Sequence, residues 1–348
     1  MEARISGKEY TMNILNGISL GVVVALIPSA LVGQLMTAIK GFFPYATTII
    51  MMTSFAMSLL PIITGVCVSL YFKLNPIQIS AVAIAAMVGS GVMQAGNGTF
   101  ILKGTGDIIN TGLTIALAVW IALLIGDRLK DFTMLLLPLL VIVIAGGIGM
   151  AVLPYVKMIA TTIGLMISHI TSLQPLLMGT LMGICFAVLI VSPISSVGIA
   201  TAIGLAGIGS GSANLGITAG SFMLAVYGSS VNPIGTSFAH FIGSPKIQMG
   251  NMLKKPLLFL PVCINAGIMG FIGAILHIGG NSMSAGFGFS GLIGPMAAYA
   301  GMNKNIMSII ILVLIFVILP VLLAYISRHI FVEKLRWIRP EDVLLDIK

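Results

Sequence analysis

The sequence predicts an all-α, polytopic transmembrane protein of about ten spans, built as two structural repeats with broken helices or re-entrant hairpins. Three observations carry this expectation. Of the 348 residues, 58% are hydrophobic and only 7% charged, and the mean hydropathy is +1.14, a composition foreign to soluble domains of this length. Apolar runs recur along nearly the whole chain and leave no room for a separate soluble domain. A pattern of polar breaks then occurs twice. Gly89-Ser90-Gly91-Val92 and Gly104-Thr105-Gly106-Asp107-Ile108 are echoed 139 residues later by Gly228-Ser229-Ser230-Val231 and Gly243-Ser244-Pro245-Lys246-Ile247.

The apolar runs fall at 11–39, 45–72, 77–95, 108–126, 132–153, 156–170, 176–191, 194–208, 217–231, 256–278 and 306–326. Several are too long or too short for simple spans. The long ones carry an internal proline, which removes a backbone hydrogen bond and bends or breaks a helix. Prolines also keep step between the halves: Pro28 with Pro154, Pro44 with Pro175, and Pro61 with Pro193, at offsets of 126, 131 and 132. The chain divides accordingly into an N-terminus at 1–12, a transmembrane domain at 13–326 and a basic tail at 327–348. Within the domain, one repeat covers about 14–126 and a second about 140–278, with an extension at 279–326. Parallel and inverted repeats both remain open, because the choice turns on an even or odd span count.

A net charge of +8 would suit nucleic acid in a soluble chain, but here the cations sit in short connections and at the C-terminus. Arg328, Lys334, Arg336 and Arg339 form the strongest basic cluster, so the positive-inside rule places the C-terminus in the cytoplasm. Near the N-terminus, Arg4 and Lys8 are offset by Glu2 and Glu9. No cationic start or cleavage site marks a signal peptide, and the first apolar run is expected to stay as a span. Cys67, Cys185 and Cys263 lie far apart in apolar stretches, as packing residues do. No metal or cofactor is expected.

Small residues such as Gly17, Gly21, Gly267, Gly270 and Gly273 read as points of close helix approach. The cluster from Gly207 to Asn214 reads differently, as a loop or unwound segment, because glycine and serine do not continue a helix cheaply. Asn97-Gly98-Thr99 matches a glycosylation sequon by coincidence.

The chemistry is expected in two polar loops, 94–107 and 232–246. Ser244 followed by Pro245 is a helix start, with serine as N-cap and proline at the first helical position. Thr105, Gly106 and Asp107 can start a helix in the same way, with the carboxylate at its positive end. Backbone N–H groups freed there suit an anionic or hydroxyl-rich solute. Asp107 and Lys246 occupy matched positions, either facing one another or the solute at membrane depth, or lying at the aqueous surface where Lys103 and Lys246 act as anchors. His240, between Phe238 and Phe241, can take a proton from a solute hydroxyl or bind it by hydrogen bonds. Asp107 and His240 are thus the candidate bases. Gln94, Asn97, Lys103, Thr105, Ser229, Ser230, Asn232, Ser244 and Lys246 are the candidate solute-binding residues. His169 and His277 belong near span ends, while Ser192, Ser195 and Ser196 can satisfy carbonyls freed at Pro193.

The segments Val191-Ser192-Pro193-Ile194-Ser195-Ser196, Ser229-Ser230-Val231-Asn232-Pro233 and Gly243-Ser244-Pro245-Lys246 carry a family resemblance. Over most of 10–326 the chain resembles EIIC, the membrane permease component of the bacterial phosphoenolpyruvate-dependent sugar phosphotransferase system. Within that family it is similar to the stand-alone branch with the PfoR-type regulators. The resemblance implies a homodimer in the bacterial cell membrane that binds a sugar in an occluded site and passes it to a phosphocysteine on a separate IIB protein. Better-known members carry a glutamate and a histidine in the site. Here every glutamate, Glu2, Glu9, Glu333 and Glu341, lies near a terminus. The partners expected are a small polar solute, membrane lipid and a phospho-IIB protein, with no nucleic acid. Two other readings stand beside the permease: an ion-coupled or facilitative carrier on the same scaffold, and a membrane sensor controlling gene expression through a partner on the basic tail.

Overall fold

The computed structural model describes residues 5–345 apart from 97, 127 and 283. Apart from one short hairpin the described chain is helices and their connections. It divides into two compact units: the chain before Ser29 with Thr48–Ile159, and Ser29–Thr47 with Ala160–Lys348.

The first unit begins in α1 (Gly7–Ile39), followed by α2 (Ala46–Ser58) and α3 (Leu60–Tyr71). The latter two are bent by 51° across Leu59, next to Pro61, where the expected proline break falls. Helix α4 (Pro76–Gly89) opens with a full capping box, Asn75 and Gln78 exchanging side-chain and backbone bonds. Strands β1 (Met93–Gly96) and β2 (Thr99–Leu102) pair antiparallel, and α5 (Ile108–Ile125) follows. A long helical stretch from Lys130 to Ile170 comprises α6 (Thr133–Leu140), a π-helical turn and α7 (Gly147–Ile170). As expected, Gly17 and Gly21 let α1 approach α3, at Val68 and Thr64.

The second unit is organised around α8 (Pro175–Ile190), the short α9 (Ser196–Ala202) and α10 (Gly207–Tyr227). Loop helices α11 (Ile234–Phe238) and α12 (Met249–Lys254) lead to α13 (Phe259–Ile275). Then come α14 (Ile293–Ala300), α15 (Ile306–Val313) and α16 (Leu319–Arg328), the last two joined by a π turn. The core is the triple contact of α8, α10 and α13, filled by Met182, Phe186, Met223, Leu224 and Val262. Its closeness depends on glycine: a Cβ on Gly216 would fall inside the backbone of Gly183, and one on Gly270 against the carbonyl of Gly179.

One sequence expectation changes. Residues 207–214 are not unwound but form the first turns of α10, which is buried along nearly its whole length. Glycine is used there to admit neighbours rather than to break the helix. The segment 278–292 lies across those turns, with Gly207 and Gly280 exchanging backbone hydrogen bonds of 2.9 and 3.0 Å. Asn214 binds it too, accepting from Gly288 N at 3.1 Å and donating to Ser284 Oγ at 3.3 Å. By length and composition, among the described residues, five helices can cross a membrane, or six counting the bent α2–α3 pair, and α4 and α8 are shorter apolar helices. Helix α10 is long enough at 21 residues, but its Gly, Ser, Asn and Thr content makes it too polar to register as a span.

If backbone proximity is what Gly216 provides, Gly216→Ala should lower stability by about 1–3 kcal/mol. Gly147→Ala, in open space on α7, should leave stability unchanged or raise it by up to about 1 kcal/mol. Thermal unfolding in detergent measures both, and equal midpoints would refute the packing argument.

Candidate functional site

The two polar loops belong to different units and are described in turn. In the first unit, loop 94–107 is mostly the β1–β2 hairpin, paired Gln94 to Ile101 and Gly96 to Thr99. Gln94 and Lys103 are exposed, Thr105 is half-buried, and Asn97 lies outside the described residues. Asn-Gly is the strongest short hairpin signal in a sequence, so the turn was readable from Asn97-Gly98. Asp107 N donates to Ser90 O at 2.9 Å, which closes the loop at its base. The Asp107 carboxylate caps α5, accepting from Asn110 N at 2.8 Å, as its position predicts. Asn110, fully buried, ties the helix start to Gly89 O at 2.6 Å and Gly149 O at 2.8 Å.

In the second unit the loop from 232 runs through α11, a π turn at Ala239–Gly243 and a 3-10 turn at Pro245–Gln248 into α12. Ser244 is the N-cap, accepting from Lys246 N at 3.3 Å, with Pro245 at the first position. Lys246 is 3% exposed. Its ammonium donates to Ser192 O and, at 3.0 Å, to Ile194 O. Both carbonyls lie in the connection between α8 and α9, on either side of Pro193, so two of the motif segments meet in one contact. The neighbouring serines do related work: Ser192 Oγ donates to Leu189 O at 2.8 Å, Ser195 caps α9, and Ser196 Oγ donates to Gly286 O at 2.8 Å.

His240 is fully buried. Its Nδ1 lies 2.9 Å from Thr236 O and 3.2 Å from Ser237 O, two acceptors that require the proton on Nδ1. Nε2 is then an acceptor, and the amide of Gln248 donates to it at 2.9 Å. Beside it, Phe241 stacks on Phe222 with centroids 4.4 Å apart, and Phe238 leans on Phe241 at 5.3 Å. Phe238 itself is exposed.

Asn232 is buried and bonded at both ends of its amide to the C-terminal segment: Nδ2 to Val343 O at 3.0 Å, and Oδ1 from Leu345 N at 2.9 Å. Ser229 and Ser230 are exposed, and Ser229 Oγ receives a bond from Arg328 at 3.1 Å. The sequence reading missed Gln248 and Asn251. Gln248 follows Lys246 by two residues in an otherwise apolar stretch, and that polarity was the available signal. Among the described residues no group of His, Cys, Asp or Glu is placed to hold a metal ion. The three cysteines are half-buried on α3, α8 and α13.

The sequence profile of the family described as Phosphotransferase system, EIIC, matches residues 12–345. The chain belongs to that family, and is a multi-pass membrane protein of the permease type. No curated protein matches it.

Asp107→Ala should cost about 1 kcal/mol through the lost cap while Asp107→Asn keeps it. Lys246→Met, of similar length, should cost about 1–3 kcal/mol by leaving buried carbonyls unpaired. Thermal unfolding of the purified variants checks both. A Lys246→Met protein as stable as its parent would rule out the carbonyl-holding role.

Proposed function

We propose that the chain is the permease of a phosphotransferase uptake system for a small polar solute, a sugar or sugar-like compound, working with a separate phospho-IIB protein. The family match across 12–345 carries this reading. It is supported by the segment 232–248, where Asn232, His240, Ser244, Lys246 and Gln248 are each buried in a chain that is otherwise apolar. Polar groups kept in such a setting are costly unless they serve a purpose.

In this reading the second-unit loop is the main solute-binding element, with Ser229, Ser230, Asn232, Ser244 and Lys246 as its polar contacts. His240 is the base for a solute hydroxyl. Both of its ring nitrogens are occupied, so it acts only after Gln248 turns away. In the first unit the corresponding assignments are Asp107 as base and Gln94, Asn97, Lys103 and Thr105 as polar contacts. The phosphoryl donor that the family implies is a phosphocysteine on the IIB partner, and the three cysteines of this chain are half-buried on helices. About ten crossings in two repeats, a homodimer in the bacterial cell membrane and a cytoplasmic C-terminus complete the proposal.

The test is uptake into proteoliposomes of a radiolabelled panel of hexoses, pentoses, polyols and sugar acids, with and without phosphoenolpyruvate and the soluble phosphotransfer proteins. Accumulation of one class as its phosphate, only with the relay present, is expected. Uptake that ignores the relay and collapses with an ionophore would establish the ion-coupled carrier instead. For the phosphorylated solute, His240→Gln should lower uptake by about 10²-fold or more, the scale of lost general-base catalysis.

A further inference from the structure

The C-terminal segment is built into the second-unit loop. After the helical stretch ending at Lys334, the chain turns at Pro340–Val343 and buries Ile338 and Val343 in the unit's core. Val343 O accepts two side-chain bonds, from Asn232 Nδ2 at 3.0 Å and Gln248 Nε2 at 2.8 Å. Leu344 O accepts from Asn251 Nδ2 at 2.8 Å, and Leu345 N donates to Asn232 Oδ1 at 2.9 Å. Asp342 forms an ion pair with Lys255 and also caps its own turn through Arg339 N at 2.7 Å.

Donor counting fixes what this does to His240. The two hydrogens of the Gln248 amide go to His240 Nε2 and to Val343 O, while its oxygen accepts from Asn251 at 2.8 Å. Were the amide turned over, its oxygen would face two acceptors and its NH2 a donor. Val343 O therefore dictates the orientation that occupies the imidazole. Asn232 is likewise engaged at both ends of its amide, by Val343 O and Leu345 N.

We propose that Asp342–Leu345 is a strap that holds the loop, with Gln248 as the positioning residue for His240, so that lifting the strap releases Asn232, Gln248 and the His240 Nε2 together. The importance of that release for transport rests on the reading of the loop as solute-binding. The strap itself is measured without any solute.

The experiment uses the full chain in lipid nanodiscs, beside Val343→Asp, Gln248→Leu and a chain shortened after Arg339. Histidine 15N resonances report Nε2, with His240→Gln assigning the signal, and hydrogen exchange reports loop 232–248. The intact protein should show one histidine protonated on Nδ1 with a hydrogen-bonded Nε2. In Val343→Asp and the shortened chain that signature should vanish and loop exchange rise at least tenfold, with exchange in α8, α10 and α13 unchanged. Gln248→Leu should lose the signature alone. Should the first two variants not fold, Asp342→Ala, which removes the Lys255 ion pair and the cap at Arg339 N but no bond to Asn232, Gln248 or Asn251, should still accelerate loop exchange. An unaltered His240 signal and unaltered loop exchange in the folded strap variants would overturn the proposal. Failed uptake with these signals as expected would count against the transport reading alone.

Discussion

The second unit depends on one buried ammonium. Lys246 sits against the connection that follows α8 and donates to the carbonyls on either side of Pro193, which have no helical partner. Withdrawing a charge from water costs several kcal/mol, while each hydrogen bond from a charged donor returns about 1.5–3 kcal/mol. Two such bonds near the carboxyl end of α8, where the helix dipole favours a cation, bring the balance near zero or below. The break in α8 and the turn at Pro245 are thus a single construction. The other pieces of the loop are arranged around it.

Around that construction the packing is backbone on backbone. Gly183 and Gly216 let α8 and α10 touch without side chains between them, and Gly179 and Gly270 do the same for α8 and α13. Apolar side chains gain little by leaving lipid for a protein interior, so close approach and internal hydrogen bonds take over as the cohesive forces. Ser221 and Thr218 follow this logic by returning their hydroxyls to carbonyls of their own helix, at 2.8 and 2.7 Å.

Composition and hydropathy were sufficient for the helical membrane class, and local chemistry for the caps at Asp107 and Ser244, because those signals act within a few residues. The β1–β2 hairpin is also local, since Asn-Gly between two short apolar runs is a hairpin signal as well as part of a sequon. What was not legible is long-range. Nothing near Gly207 announces that 278–292 will cover it, so glycines that look like helix breakers become helix contacts. Asn232 and Gln248 meet their partners 111 and 95 residues away, and no spacing in the sequence reveals that. Lys246 was legible either as a cation at depth needing a partner or as a surface anchor, and the partners that hold it buried are carbonyls, which every residue has.

The separation between Gln248 and Val343 also has a temporal meaning. At about 5–20 residues per second, the ribosome finishes Gln248 roughly 5 to 20 seconds before it reaches Val343. During that interval the amides of Asn232, Gln248 and Asn251 must be served by water or by one another. This corner of the protein therefore completes its hydrogen bonds only after the helices that frame it have been synthesised.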